Sequence, residues 1–131
     1  MPPAELTFAS AIGVTATLLN QHLADGVRAG GKWPKSKPAS FVRVSRPGGT
    51  RDTQVTDRPF LLFECWAPNS VEAEALGNRV RAIMPANQFE FVDGHKLTGW
   101  TEVSFVEFDD PAVTTHSRWQ VTGTLGIAAR R

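Results

Sequence analysis

The chain has 131 residues, 41% hydrophobic and 21% charged, with a formal net charge of +1. This describes one domain with room for one core, and a charge balance too even to draw it onto nucleic acid or anionic membranes. A single cysteine, Cys65, excludes an internal disulfide framework, and no stretch shows the length of a membrane span or the basic-then-apolar order of a signal peptide.

From Glu5 to Asp25 the pattern favours a helix, with Phe8, Ile12, Leu19 and Leu23 on one side and Ala11, Ala16 and Leu18 widening the apolar face. Gly13 and the threonines weaken its intrinsic propensity, so packing must hold it, and Gly26 is its stop. Val27 to Pro38 is small, basic and rigid, and reads as an exposed loop. Phe41 to Arg46 is a strand that turns Val42 and Val44 one way and Phe41, Arg43 and Ser45 the other. Pro47-Gly48-Gly49 is expected to break it. The polar run Gly48 to Asp57 is longer than a hairpin turn of about two to five residues, so it reads as a long connection. Its Arg46, Arg51, Asp52, Asp57 and Arg58 carry both signs of charge, which suits a contact between like subunits; a solvated mobile loop is the plain alternative.

Phe60 to Trp66 alternates, with Leu61, Phe63 and Cys65 on one face and Phe60, Leu62, Glu64 and Trp66 on the other. Both faces are largely apolar, as in a strand covered on two sides. Pro68 stops the strand, Asn69 or Ser70 caps a helix, and Glu72 and Glu74 favour its positive end. Ala73, Leu76, Val80 and Ile83 form the buried stripe, and Pro85 is the expected end. Phe89 to Val92 is a short strand with Asp93-Gly94 as its turn. Thr98 to Phe108 is a longer strand, Thr101, Val103 and Phe105 opposing Glu102, Ser104, Val106 and Phe108, broken at Asp109-Asp110-Pro111. The last strand alternates most cleanly: Trp119, Val121, Gly123, Leu125 and Ile127 against Arg118, Gln120, Thr122, Thr124 and Gly126.

These elements assemble into a single α+β domain over residues 1–131. It has a four- to five-stranded, mostly antiparallel or mixed sheet with two helices on one face. Two helices cover one face only, which leaves Phe60, Leu62 and Trp66 as a surplus apolar patch of the kind that marks subunit contact. Burial of Trp66 under the Val27–Pro38 loop is the competing account.

No catalytic chemistry finds an anchor. His22, His95 and His116 fall in separate segments with no metal-ligand spacing; loops would have to bring His95 and His116 together with Asp109 or Asp110. Glu102 and Glu107 are spaced to fall on opposite faces, and no phosphate loop or nucleophile motif is present. Cys65 reads as a core thiol. No cofactor is expected, and the chain does not read as an enzyme. An RNA-binding sheet would want exposed aromatics with flanking bases; Phe41, Phe60, Trp66, Trp100 and Trp119 qualify by type, but no RNP-like pattern accompanies them.

One segment carries a resemblance. Asp57-Arg58-Pro59, then Phe63-Glu64-Cys65-Trp66-Ala67-Pro68, then Glu72-Ala73-Glu74, Leu76 and Val80-Arg81-Ala82 resemble the tail terminator (tail completion) proteins of long-tailed bacteriophages, in the versions found in phages of actinobacteria. The resemblance implies a virion subunit, made in the host cytoplasm, that closes as a hexameric ring on the head-proximal end of the tail tube. Such a ring ends tube polymerisation, docks the head connector and lets genome DNA pass without reading its sequence. A head-completion (stopper) protein of the neck, or a minor tail protein, is the alternative within virion assembly. The interface positions Arg46, Arg51, Asp52, Asp57, Arg58, Phe60, Leu62 and Trp66 come from charge and apolar pattern, not from the resemblance.

Overall fold

A computed structural model describes residues 5–130. Helix α1 spans Ala11–His22, shorter than the Glu5–Asp25 pattern at both ends. Ser10 is extended and its hydroxyl accepts the Gly13 N–H at 3.1 Å, so it starts the helix there. Thr7 upstream is instead held in an antiparallel bridge to Arg130.

Six strands follow around a second helix: β1 Arg28–Gly30, β2 Phe41–Arg51, β3 Thr56–Ala67, α2 Ser70–Ala86, β4 Phe91–Val92, β5 His95–Glu107 and β6 Ser117–Ala128. They form one mixed sheet in the order β1-β2-β3-β6-β5-β4, with β1 parallel to β2 and the other pairs antiparallel. The fold is α+β, with six strands where four or five are legible in the sequence. The added strand is β1, inside the segment expected to be a loop. It has three residues and no alternation to read; the Asn20 side chain makes it by bonding both the N–H and the C=O of Ala29, at 2.8 and 3.0 Å.

The largest departure lies at Pro47-Gly48-Gly49. These residues bulge rather than break the strand: β2 shifts register between Ser45 and Gly48 and runs on to Arg51. At φ +96 Gly49 needs to be glycine, since a Cβ there would sit 2.5 Å from Arg58 O. What read as a long connection is therefore a tight hairpin. Only residues 52–55 turn, and Thr56 O accepts from Asp52 N at 2.8 Å.

Residues paired across neighbouring strands share a face, so the register sorts the sheet. One face carries Val42, Val44, Leu61, Phe63, Cys65, Val121, Leu125 and Ile127, all buried with Val14, Leu18 and Leu19 of α1 and Val80, Ile83 and Met84 of α2. Both helices pack on this face, and Arg79 of α2 donates to the last-turn carbonyl of His22 in α1 at 3.2 Å. Asn69 caps α2 through the Glu72 N–H at 2.9 Å. Pro85 lies within the last turn of α2 rather than after it, and Asn87 closes the helix onto Ile83 O.

β5 shifts register twice, between Leu97 and Gly99 and then by a bulge between Glu102 and Ser104 that resets its outer half. That bulge leaves Val103 unpaired and puts Glu102, opposite Gly123, and Glu107, opposite Trp119, on the same helix-packed face. The sequence spacing had placed those two carboxylates on opposite faces. Glu102 is gripped by Arg81 of α2 at 2.8 and 3.0 Å, and Glu107 accepts from Ser70.

Candidate assembly surface

The eight positions singled out from sequence divide between the two faces of the sheet. Arg46, Arg51 and Asp57 sit on the helix-packed side, at the hairpin end. Arg46 grips the buried Asp57 through both amino groups, at 2.6 and 3.0 Å, and its Nε donates to Gly48 O at 3.0 Å. This pair locks the bulge in place, because it joins the residue before Pro47 to the strand opposite. Arg51 lies over the Phe8 ring, 4.3 Å from its centroid. Arg58 reaches Asp52 at the hairpin tip at 3.2 Å.

Phe60 and Leu62 are half-buried on the open face, where their cross-strand partners are Thr124 and Thr122 of β6. Trp66 shares that face, yet it does not belong to an exposed patch: it is 3% exposed. Trp33 covers it with ring centroids 4.3 Å apart, and His116 stands edge-on to Trp33 at 5.0 Å while its Nε2 meets Pro38 O at 2.9 Å. The segment after β1 thus folds over one end of the sheet, and the apolar patch shrinks to Phe60 and Leu62. A tryptophan in a proline- and lysine-rich loop is the sequence signal for such a flap.

A charged network beside Trp66 was not anticipated. Glu64 points to the open face, with only 7% of its side chain exposed, and accepts from Arg43 at 2.5 Å and Arg118 at 3.2 Å. Arg118 also donates to Phe108 O at 2.6 Å and lies over the rings of Trp66 and Phe108, at 5.0 and 5.3 Å. A buried carboxylate is tolerable only when paired and bonded in this way. The lone acidic residue inside an apolar strand was the signal for it.

The other chemistry does not converge. His95 is buried at one end of the sheet with Nδ1 on Ala128 O at 2.9 Å, beside a shallow cleft lined by Phe8, Ser10, Gly13 and Arg130. His116 precedes β6 at the opposite end, so loops do not bring the two together. Among the described residues no three His, Cys, Asp or Glu side chains are grouped to hold a metal ion. Cys65 is fully buried; removal from water and the neighbouring Glu64 charge push its thiol far above the ordinary range, so it is not a nucleophile. No helix among the described residues is long and apolar enough to cross a membrane.

Exposed apolar surface gathers elsewhere, at the β4–β5 edge. The large apolar side chains that stand in solvent are Val55, Val71, Phe89, Phe91, Val103, Val106 and Phe108. Five of these seven lie on β4, on β5 or immediately beside them. Val103, Val106 and Phe108 are 59%, 45% and 58% exposed. Isolated exposed side chains need no explanation; a row along one free edge does. The sequence matches no protein-family model and no curated protein.

Proposed function

We propose that this chain is a ring-forming structural subunit of a phage virion. In this reading it caps the head-proximal end of the tail tube, ends tube polymerisation and offers the head connector a docking surface. The observation that carries the assembly half of the reading is the row of exposed apolar side chains along the β4–β5 edge of a sheet whose other face is filled by helices. The tail-terminator half rests on the resemblance in the Asp57–Ala82 segment. The hairpin held in shape by the Arg46–Asp57 pair offers Arg51, Asp52 and Arg58, with Phe60 and Leu62 beyond them, as the second patch that a closed heterologous ring requires.

Magnitudes set the form of the assembly. Completing the burial of Val103, Val106 and Phe108 contributes roughly 1 kcal/mol each, about half the value of full burial. Bringing two subunits together costs about 4–15 kcal/mol in lost freedom. One such contact is therefore weak. Two contacts per subunit in a closed ring, or a tube end that holds the subunits side by side, raise the effective concentration enough to offset that cost. The expected behaviour is a monomer in dilute solution and a ring on the tube. In the ring, genome DNA passes without sequence readout, and the functional surface is an interface rather than a catalytic or cofactor site.

Native mass spectrometry with and without tail tube protein tests this. A closed multimer that forms on, and stops, tube polymers is the expected result. A chain that stays monomeric and leaves tube polymerisation unchanged overturns the tail reading; binding to portal or adaptor protein instead of tube protein moves the ring to the neck.

A further inference from the structure

We propose that the segment from Arg28 to Lys37 is a docking platform for the phosphate backbone of duplex nucleic acid, held by charge and without base readout. The inference goes beyond the ring reading above and does not depend on it.

The structure sorts the cations of this chain into two sets. Arg28, Lys32, Lys35 and Lys37 are exposed, and among the described residues none of them has an ion pair, a side-chain hydrogen bond or an aromatic ring beneath it. Every other described Lys or Arg is engaged. Five arginines bond carboxylates, Arg51 covers the Phe8 ring, and Arg79, Lys96 and Arg130 donate to backbone carbonyls. The idle cations therefore all lie on one short segment, and no Asp or Glu occurs anywhere from Gly26 to Arg51. Their four charges exceed the net +1 of the whole chain, so the remainder is net negative. An even overall balance conceals a local positive field.

The segment presents these charges from a fixed frame. Asn20 pins Ala29 at one end, and at the other His116 Nε2 donates to Pro38 O at 2.9 Å. Between them Trp33 is anchored on Trp66, and Lys37 N donates to Pro34 O at 3.0 Å. Lys37 itself holds φ +45, a backbone that non-glycine residues seldom adopt. A platform ordered beforehand loses less freedom on binding.

Chemistry selects the partner. Protein interfaces centre on aromatic and apolar side chains and are depleted in lysine. A membrane surface would want an apolar face beside the bases. Neither is offered: Trp33 turns inward onto Trp66, and no large apolar side chain of residues 27–40 stands in solvent. The same stretch has no exposed aromatic ring to stack on unpaired bases and no Asn or Gln to read base edges. What remains is charge alone, which suits the dense phosphates of a duplex.

Fluorescence anisotropy of the full chain with two DNA duplexes of unrelated sequence, titrated from about 50 to 200 mM salt, tests this. Four phosphate contacts predict equal affinity for both duplexes and a slope of log K against log salt of about −3.5. Lys32→Gln, Lys35→Gln and Lys37→Gln combined should bring the slope to about −1 and weaken binding at least tenfold at about 50 mM salt. Lys96→Gln, which removes a cation already engaged, should change neither. Absence of binding at about 50 mM salt, or a triple variant that keeps the parent's affinity and slope, overturns the proposal. A triple variant that binds duplex as before but no longer joins tube ends assigns the lysines to a protein partner and overturns it as well. Tube capping by a chain that binds no duplex leaves the terminator reading standing without the platform. Duplex binding by a chain that ignores tube protein keeps the platform and removes the terminator reading.

Discussion

Glu64→Gln is the most direct probe of what holds the open face together. The substitution keeps the shape of the side chain and one acceptor oxygen but removes the charge that Arg43 and Arg118 share. Arg118, 12% exposed at its side chain, then faces an amide that can no longer satisfy both guanidinium groups. Removing one partner from a buried pair costs about 3–5 kcal/mol, and the exposure of Arg43, at 40%, puts this site at the low end. We expect a loss of about 3 kcal/mol, which for a domain of this size lowers Tm by roughly 10 °C. The matched control is Glu102→Gln, whose partner Arg81 is 37% exposed; a pair in water is worth about 0.2–1 kcal/mol. Urea unfolding of both variants at low and high salt separates the cases, because salt screens the Glu102 pair and hardly touches Glu64. A Glu64→Gln loss no larger than that of Glu102→Gln, or one that vanishes in 1 M salt (a Debye length of about 3 Å), refutes the reasoning.

Three further outcomes follow from the same geometry. Cys65 has a folded-state pKa raised above its unfolded value, so its contribution is fully present below about pH 8.5 and is lost as pH rises beyond it, by about 1.4 kcal/mol per unit. The chain has no tyrosine to mask this slope, and denaturation of Cys65→Ala between pH 8.5 and 10 should show it flattened, a window of roughly one and a half units. Gly123→Ala would set a Cβ 2.5 Å from Trp100 Cζ2 and 2.6 Å from Thr101 O; the backbone oxygen cannot swing away, so a loss of about 3 kcal/mol is expected by calorimetry. Trp33→Ala uncovers Trp66, and should cost about 3 kcal/mol and shift tryptophan emission to the red while leaving far-UV circular dichroism unchanged.

The parts that sequence pattern determined are those where the signal is local and periodic. Leu61, Phe63 and Cys65 alternate and are buried together, and β6 buries Val121, Gly123, Leu125 and Ile127 of its alternating set, although Trp119 of that set is only half-buried and Gly126 of the opposite set is buried too. Asn69 caps α2, and Asp93-Gly94 turns between β4 and β5, with both residues at positive φ. The tertiary structure alone decided what depends on a distant partner. Pro47-Gly48-Gly49 has every local mark of a strand break, but the Arg46–Asp57 pair and the opposite strand carry β2 through it as a bulge. β1 exists because Asn20 supplies a backbone-like partner from a helix, which no pattern in residues 28–30 announces. A bulge in β5 inverts every face assignment after it, because side-chain period in a strand is two and one added residue reverses the parity. Trp66, apolar and on the face without helices, was assigned to an interface; it is buried by Trp33, a residue 33 positions away whose approach only the folded chain reveals. Periodicity reads which residues want to be covered. What covers them is set by contacts between segments far apart in the chain, and that is a property of the three-dimensional packing.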